Sequence, residues 1–179
     1  MFRKPWPLAI LAQAFGLAIT FAPSTVLAHV TLEQQQAPVG TPYKVVLRVP
    51  HGCNESATIR LTVQIPEGVI AVKPMVKPGW QIATSRGPYA RAYSYLHGAK
   101  FTEGIREVRW DGGKLPDAFY DEFVLSTFIA GELSPGRMLY FPVVQQCEQG
   151  EHRWVEIPTT GKHPNEPAPG VMLTPKKQE

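Results

Sequence analysis

Apolar and polar residues alternate along this chain with a period of two, in short runs that never settle into a helical period. In "ATIRLTVQI" (57–65), Ile59, Leu61, Val63 and Ile65 fall on one side, with Arg60, Thr62 and Gln64 on the other. A strand with one buried face has that spacing. Similar runs are "YKVVLRV" (43–49), "VIAVK" (69–73), "WQIATS" (80–85), "RAYSY" (91–95), "IREVRW" (105–110), "EFVLSTFI" (122–129), "MLYFPVV" (138–144) and "HRWVEI" (152–157). Between them stand "PEG", "KPG", "DGG" and "SPG", whose Pro and Gly supply the dihedrals that turns require. About nine strands in this arrangement predict an all-β antiparallel sandwich of immunoglobulin/cupredoxin-like kind.

The first 28 residues depart from the pattern. Arg3 and Lys4 precede an apolar run, "PLAILAQAFGLAITFA" (7–22), and "STVLA" places Val26 and Ala28 at the −3 and −1 positions of a signal-peptidase site. The run is shorter than the roughly 20 residues a spanning helix needs. The expectation is therefore a cleaved signal peptide over 1–28, a sandwich domain over 29–160, and a Pro-rich C-terminal tail over 161–179. The protein would be soluble and exported, in a periplasm, with no membrane anchor after cleavage.

Removal of Arg3 and Lys4 leaves 16 basic residues against 15 acidic ones, a balance that offers no field for nucleic acid or anionic lipid. In an oxidising compartment the two cysteines, Cys53 and Cys147, read as a disulfide; the other reading makes them soft thiolate ligands for Cu(I). No phosphate loop, nucleophile elbow or H-E-x-x-H motif occurs. The five histidines, at 29, 51, 97, 152 and 163, lack zinc-type spacing. Trp80 and Trp110 read as core.

Cleavage after Ala28 would make His29 the first residue. Its α-amine and imidazole Nδ1 can then chelate one ion, and an amine pKa near 7.7–8.0 lets Cu(II) displace the proton at neutral pH. Cu(II) takes nitrogen and oxygen ligands in a tetragonal plane. The loop "RVPHGCNESAT" (48–58) offers Glu55 as a carboxylate and His51 as another imidazole; the plainer reading is a solvated glutamate and a satisfied loop histidine. In "EHRWVEIP", His152, Trp154 and Glu156 share one face of a strand.

Several segments, in order, resemble the YcnI-like copper-binding domain family of exported bacterial proteins: "AHVTLE", "YKVVLRVPHGC", "VQIPEGVIAVKPMVKPGWQ", "GPYARAY", "FYDEFVLSTFI", "LYFPVVQQCEQGEHRWVEIP" and "PAPGVML". The resemblance implies a β-sandwich that binds Cu(II) through its N-terminal histidine, in a site like a histidine brace with a single histidine. A glutamate completes the coordination and a tryptophan lies close by. Carried onto this chain, those residues are His29, Glu55 and Trp154. Relatives with the "HGC" loop often carry an acid directly after the cysteine, where this chain has Asn54 and then Glu55.

These features point to a non-enzymatic periplasmic chaperone or store for copper, with copper-transport or copper-handling proteins as partners. The alternatives are a copper-dependent oxidative enzyme of histidine-brace type, which would need His51 or His152 as a second histidine, and a metal-free envelope sandwich.

Overall fold

The structure, a computed structural model, describes residues 29–161 and 164–176. The expected signal peptide and His163 lie outside the described residues. Among these residues there is no α-helix. Twelve strands form three sheets: β1 (Thr31–Leu32), β2 (Gln36–Pro38), β3 (Thr41–Val49), β4 (Thr58–Gln64), β5 (Val69–Pro74), β6 (Gln81–Ser94), β7 (Lys100–Leu115), β8 (Asp121–Ile129), β9 (Met138–Tyr140), β10 (Val143–Cys147), β11 (Glu151–Trp154) and β12 (Gly170–Thr174). One sheet runs β1-β3-β8-β5 and faces a second, β11-β10-β4-β7-β6; β2-β12-β9 makes a short third sheet.

The period-two pattern is the reason the two large sheets close on one another. Val45, Leu47, Val49, Phe123 and Leu125 from one sheet meet Leu61, Val63, Val108, Trp110, Val143 and Trp154 from the other in a single buried cluster. Phe123 and Trp110 cross edge to face, ring centroids 5.3 Å apart, an arrangement their quadrupoles favour. Trp80 is not in the core as expected: it is only half-buried, and its indole occupies the space a side chain on Gly113 would take.

Strand count departs from the sequence expectation for local reasons. The runs at 80–85 and 91–95 fuse into the long β6, because Gly87 and Pro88 sit between register shifts and do not reverse the chain. The run at 138–144 splits at Phe141–Pro142 into β9 and β10. The alternation in β4 also breaks at its start. A register shift between Thr58 and Arg60 leaves Ile59 half-exposed and turns Thr58 fully inward, as a β-bulge does.

The Pro-rich tail is not merely a surface run. Gly170–Thr174 is a strand, parallel to β2 and antiparallel to β9, and Val171 and Leu173 are buried. The alternation there covers only five residues hemmed by prolines, too short to stand out in the sequence.

Cys53 and Cys147 are bridged, with Cα atoms 5.9 Å apart. The bridge fastens the loop before β4 to the end of β10 across 94 positions. Replacing both cysteines with alanine is expected to lower unfolding free energy by about 2–4 kcal/mol, measured by urea denaturation of a protein spanning residues 29–179. Thiol titration of the unfolded, unreduced parent should find no free thiol.

Candidate metal centre

One end of the sandwich gathers three of the five histidines. β11 pairs with β10 so that His152 stands opposite Gln145 and Trp154 opposite Val143. His152 and Trp154 therefore share a face, as the spacing predicts, and their rings stack at 4.9 Å between centroids with 29° between planes. Glu156 leaves that face, because the strand ends at Trp154 and the Glu156 amide turns to the carbonyl of Glu166. His29 meets the same indole edge-on at 5.4 Å. His51, in the loop after β3, lies 6.0 Å from His152.

A buried side-chain amide holds this end together. Gln145 is wholly inaccessible to solvent. Its Oε1 accepts the indole N–H of Trp154 at 3.0 Å. Its Nε2 donates to the Thr58 hydroxyl at 2.8 Å and to the His51 carbonyl at 2.7 Å. Thr58 can take part only because the bulge in β4 turns it inward. Every polar atom of the amide is thus paired, the condition under which a buried polar group is tolerated. Trp154 is both core residue and neighbour of His29: its indole is 1 % exposed and its N–H is committed to Gln145.

His152 is fixed from its other side by a residue that sequence reading passed over. Its Nδ1 donates to Glu166 Oε1 at 2.7 Å, and the Arg153 amide donates to Oε2 of the same carboxylate at 2.8 Å. Burial opposes ionisation of Glu166, yet these hydrogen bonds and the nearby positive charges hold its carboxyl below the ordinary range. The signal was faint: a lone glutamate inside "HPNEPAPG" (163–170) has no strand pattern around it. The His51 Nδ1 faces the Gly52 carbonyl at 2.6 Å, and since a carbonyl can only accept, that nitrogen carries the proton.

His29 differs from both. It is half-buried, and its Nε2 is buried without a hydrogen-bond partner. Its Nδ1 is not among the buried unpaired atoms and joins no hydrogen bond among the described residues. No described residue takes this nitrogen, which lies on the side of the ring nearest the main chain. An imidazole so placed fits a role as nitrogen donor to a metal ion.

The predicted carboxylate is less directly placed. Cys53 and Ser56 exchange both backbone hydrogen bonds, at 2.9 and 3.0 Å, around Asn54 and Glu55 with φ of 48° and 66°. That is a two-residue turn in which both central residues are left-handed, a place usually given to Asn-Gly. Glu55 is exposed at its tip, and no hydrogen bond or ion pair joins it to His29 among the described residues. A non-glycine residue in this conformation costs about 1–2 kcal/mol, so the turn holds a glutamate where glycine would be easier. The other nearby acids are engaged: Glu33 with Arg48, Glu148 with Lys114 and Glu151 with Arg153. Among the described residues no three His, Cys, Asp or Glu side chains are grouped as a closed metal cage.

Replacing Gln145 with leucine should strand the indole N–H, the Thr58 hydroxyl and the His51 carbonyl together. A cost of about 1–3 kcal/mol is expected, read from urea denaturation. The emission maximum of the native protein should shift as Trp154 loses its partner. An unchanged midpoint would contradict the assigned role of this amide.

Comparison with known proteins places the architecture in context. The sequence profile of a family described as "Domain of unknown function (DUF1775)" matches residues 29–173. A crystal structure of an uncharacterized protein from Nocardia farcinica, described as revealing an immunoglobulin-like fold, is similar with 25% sequence identity and a TM-score of 0.59. The similarity covers 82% of this chain and 98% of that one. A comparison with curated proteins found no match.

Proposed function

The chain belongs to the DUF1775 family, and on that premise we propose that it is an exported Cu(II)-binding protein of the YcnI-like kind, serving periplasmic copper homeostasis as a chaperone or store. The observation that carries this reading is the state of His29: half-buried, one edge on Trp154, with Nδ1 in no hydrogen bond among the described residues. The family match begins at the same residue, the one cleavage after Ala28 would make N-terminal.

Cleavage supplies the second donor. The α-amine and Nδ1 of one residue close a chelate ring without ordering any further side chain, which lowers the entropic cost of binding. Copper held there is a bound cargo. The wall beside it is an indole that Gln145 and the core immobilise, so His29 keeps one ring orientation. Glu55 is the carboxylate assigned to complete the site. Its support is the resemblance together with the turn that carries it, since a strained residue persists where surrounding structure or function requires it. Loop and terminus come from different parts of the chain, and the Cys53–Cys147 bridge and the His51 carbonyl bond to Gln145 hold the loop at this end.

Two measurements test the assignment. Protein carrying one extra residue ahead of His29 should lose most Cu(II) affinity, because an amide nitrogen is a far poorer donor than a free amine. Equal affinity in isothermal titration of the extended and mature forms would remove the N-terminal chelate. Glu55→Gly should separate function from stability. It relaxes the turn, so the melting temperature of the metal-free protein should hold or rise, by a stabilisation of up to about 1 kcal/mol, while Cu(II) affinity falls. A variant that binds Cu(II) like the parent would move the carboxylate elsewhere.

A further inference from the structure

His29 also lines a groove that leads away from the histidine cluster and across the small third sheet. The groove encloses about 270 Å³, and its walls include His29, Leu32, Gln35, Met138, Tyr140 and Gly170. The mature chain has three methionines, Met75, Met138 and Met172, and two of them meet here. β12 and β9 run antiparallel with Met172 directly opposite Met138. Backbone hydrogen bonds fall at the flanking positions, from Leu173 to Arg137 and from Phe141 to Pro169. Met138 and Met172 are therefore a non-hydrogen-bonded pair, in which opposed side chains come closest.

Both thioethers point away from the core. Leu139, Val171 and Leu173 take the inward positions, and the two methionines are half-buried on the outer face. The Cε of Met138 lies over Gly170, where an added Cβ would stand 2.6 Å from it. Gly170 lines the groove with His29, so the Met138 side chain leans into the groove. Met172 is not itself a wall residue; it stands across the ladder from Met138, and its backbone amide donates to the carbonyl of Gln35, which is one, at 2.9 Å.

We infer that Met138 and Met172 form a thioether site for Cu(I) on the outer face of β9 and β12, beside the groove that starts at His29. The inference rests on copper being the cargo and adds the oxidation state that the N-terminal chelate does not serve. Soft, uncharged sulfur donors favour Cu(I), whereas amine, imidazole and carboxylate favour Cu(II). Both cysteines are tied up in the disulfide, and none is free. Thioethers form no disulfides, so they remain soft donors in an oxidising compartment. The plain alternative is a pair of flexible side chains filling the space above a glycine.

The test is anaerobic titration of the mature, disulfide-intact protein with Cu(I), against a chromophoric Cu(I) chelator, with ascorbate present. Met138→Leu and Met172→Leu should each lower Cu(I) affinity roughly tenfold or more. Met75→Leu should leave it unchanged, because Met75 is exposed just after β5, in a different sheet from this pair. Cu(II) affinity and its electron paramagnetic resonance spectrum should be the same in all three variants. X-ray absorption of Cu(I)-loaded selenomethionine protein gives a readout that needs no substitution, and a copper–selenium path is expected. Unchanged Cu(I) affinity in the Met138→Leu/Met172→Leu double variant, or an absorption spectrum with nitrogen and oxygen neighbours alone, would overturn the site. A protein that loses Cu(I) with the methionines but never binds Cu(II) at His29 would retain this site and refute the chelate.

Discussion

The end of the sandwich that holds His29 depends on one buried amide. Gln145 is wholly buried between Leu61 of β4 and His152 of β11, and a lone amide there would be costly to desolvate. It is tolerated because three partners from three segments converge on it: the indole of Trp154, the hydroxyl of Thr58 and the carbonyl of His51. Each is placed by a different device. β11 pairs with β10 in a register that sets Trp154 beside it, a bulge in β4 turns Thr58 inward, and the disulfide holds the loop that carries His51. A fully paired buried network favours one arrangement over its alternatives, since any shift leaves a donor or acceptor unmatched.

That arrangement fixes the surroundings of His29 without using its imidazole. The indole that His29 touches is buried and anchored by its N–H bond to Gln145. His152, stacked on the same indole, is held at its far side by Glu166. The neighbouring rings are thus committed to protein partners, and the Nδ1 of His29 is left over. A side chain with an available donor atom inside an otherwise satisfied polar cluster is the property a cargo site needs, and it arises here from the hydrogen-bonding of everything around it.

The same end of the molecule carries donors of two kinds. The imidazole of His29 belongs to the segment before β1; thioethers belong to the outer face of β9 and β12. A groove runs from His29 to Met138. β12 comes from the segment that reads in sequence as a Pro-rich tail, and it contributes both Met172 and the bare Gly170 over which Met138 lies. The third sheet therefore does more than close the fold, since it gives the groove its floor.

Much of the architecture was legible in the sequence. Alternation of apolar and polar residues reports which side of a strand is buried, and it identified β3, β4, β5 and β8 and the face shared by His152 and Trp154, while it divided β6 and shortened β7. Cysteine number and the expectation of export pointed to the bridge that is present. Other features were beyond reach, because they depend on what lies across from a residue. The Thr58 bulge, the partners of Gln145, the clamp of Glu166 on His152 and the opposition of Met138 to Met172 each join segments far apart in the chain. Five histidines with no spacing pattern become three at one end only when β3, β11 and the N-terminal segment are brought together. Local sequence determined most strands and turns, since these follow from periodicity and backbone preference, although Asp111–Gly113 reads as a turn and lies inside β7; cysteine number named the disulfide pair. Tertiary structure alone decided which polar groups are satisfied and which, like Nδ1 of His29, are left available, because satisfaction is a property of pairs.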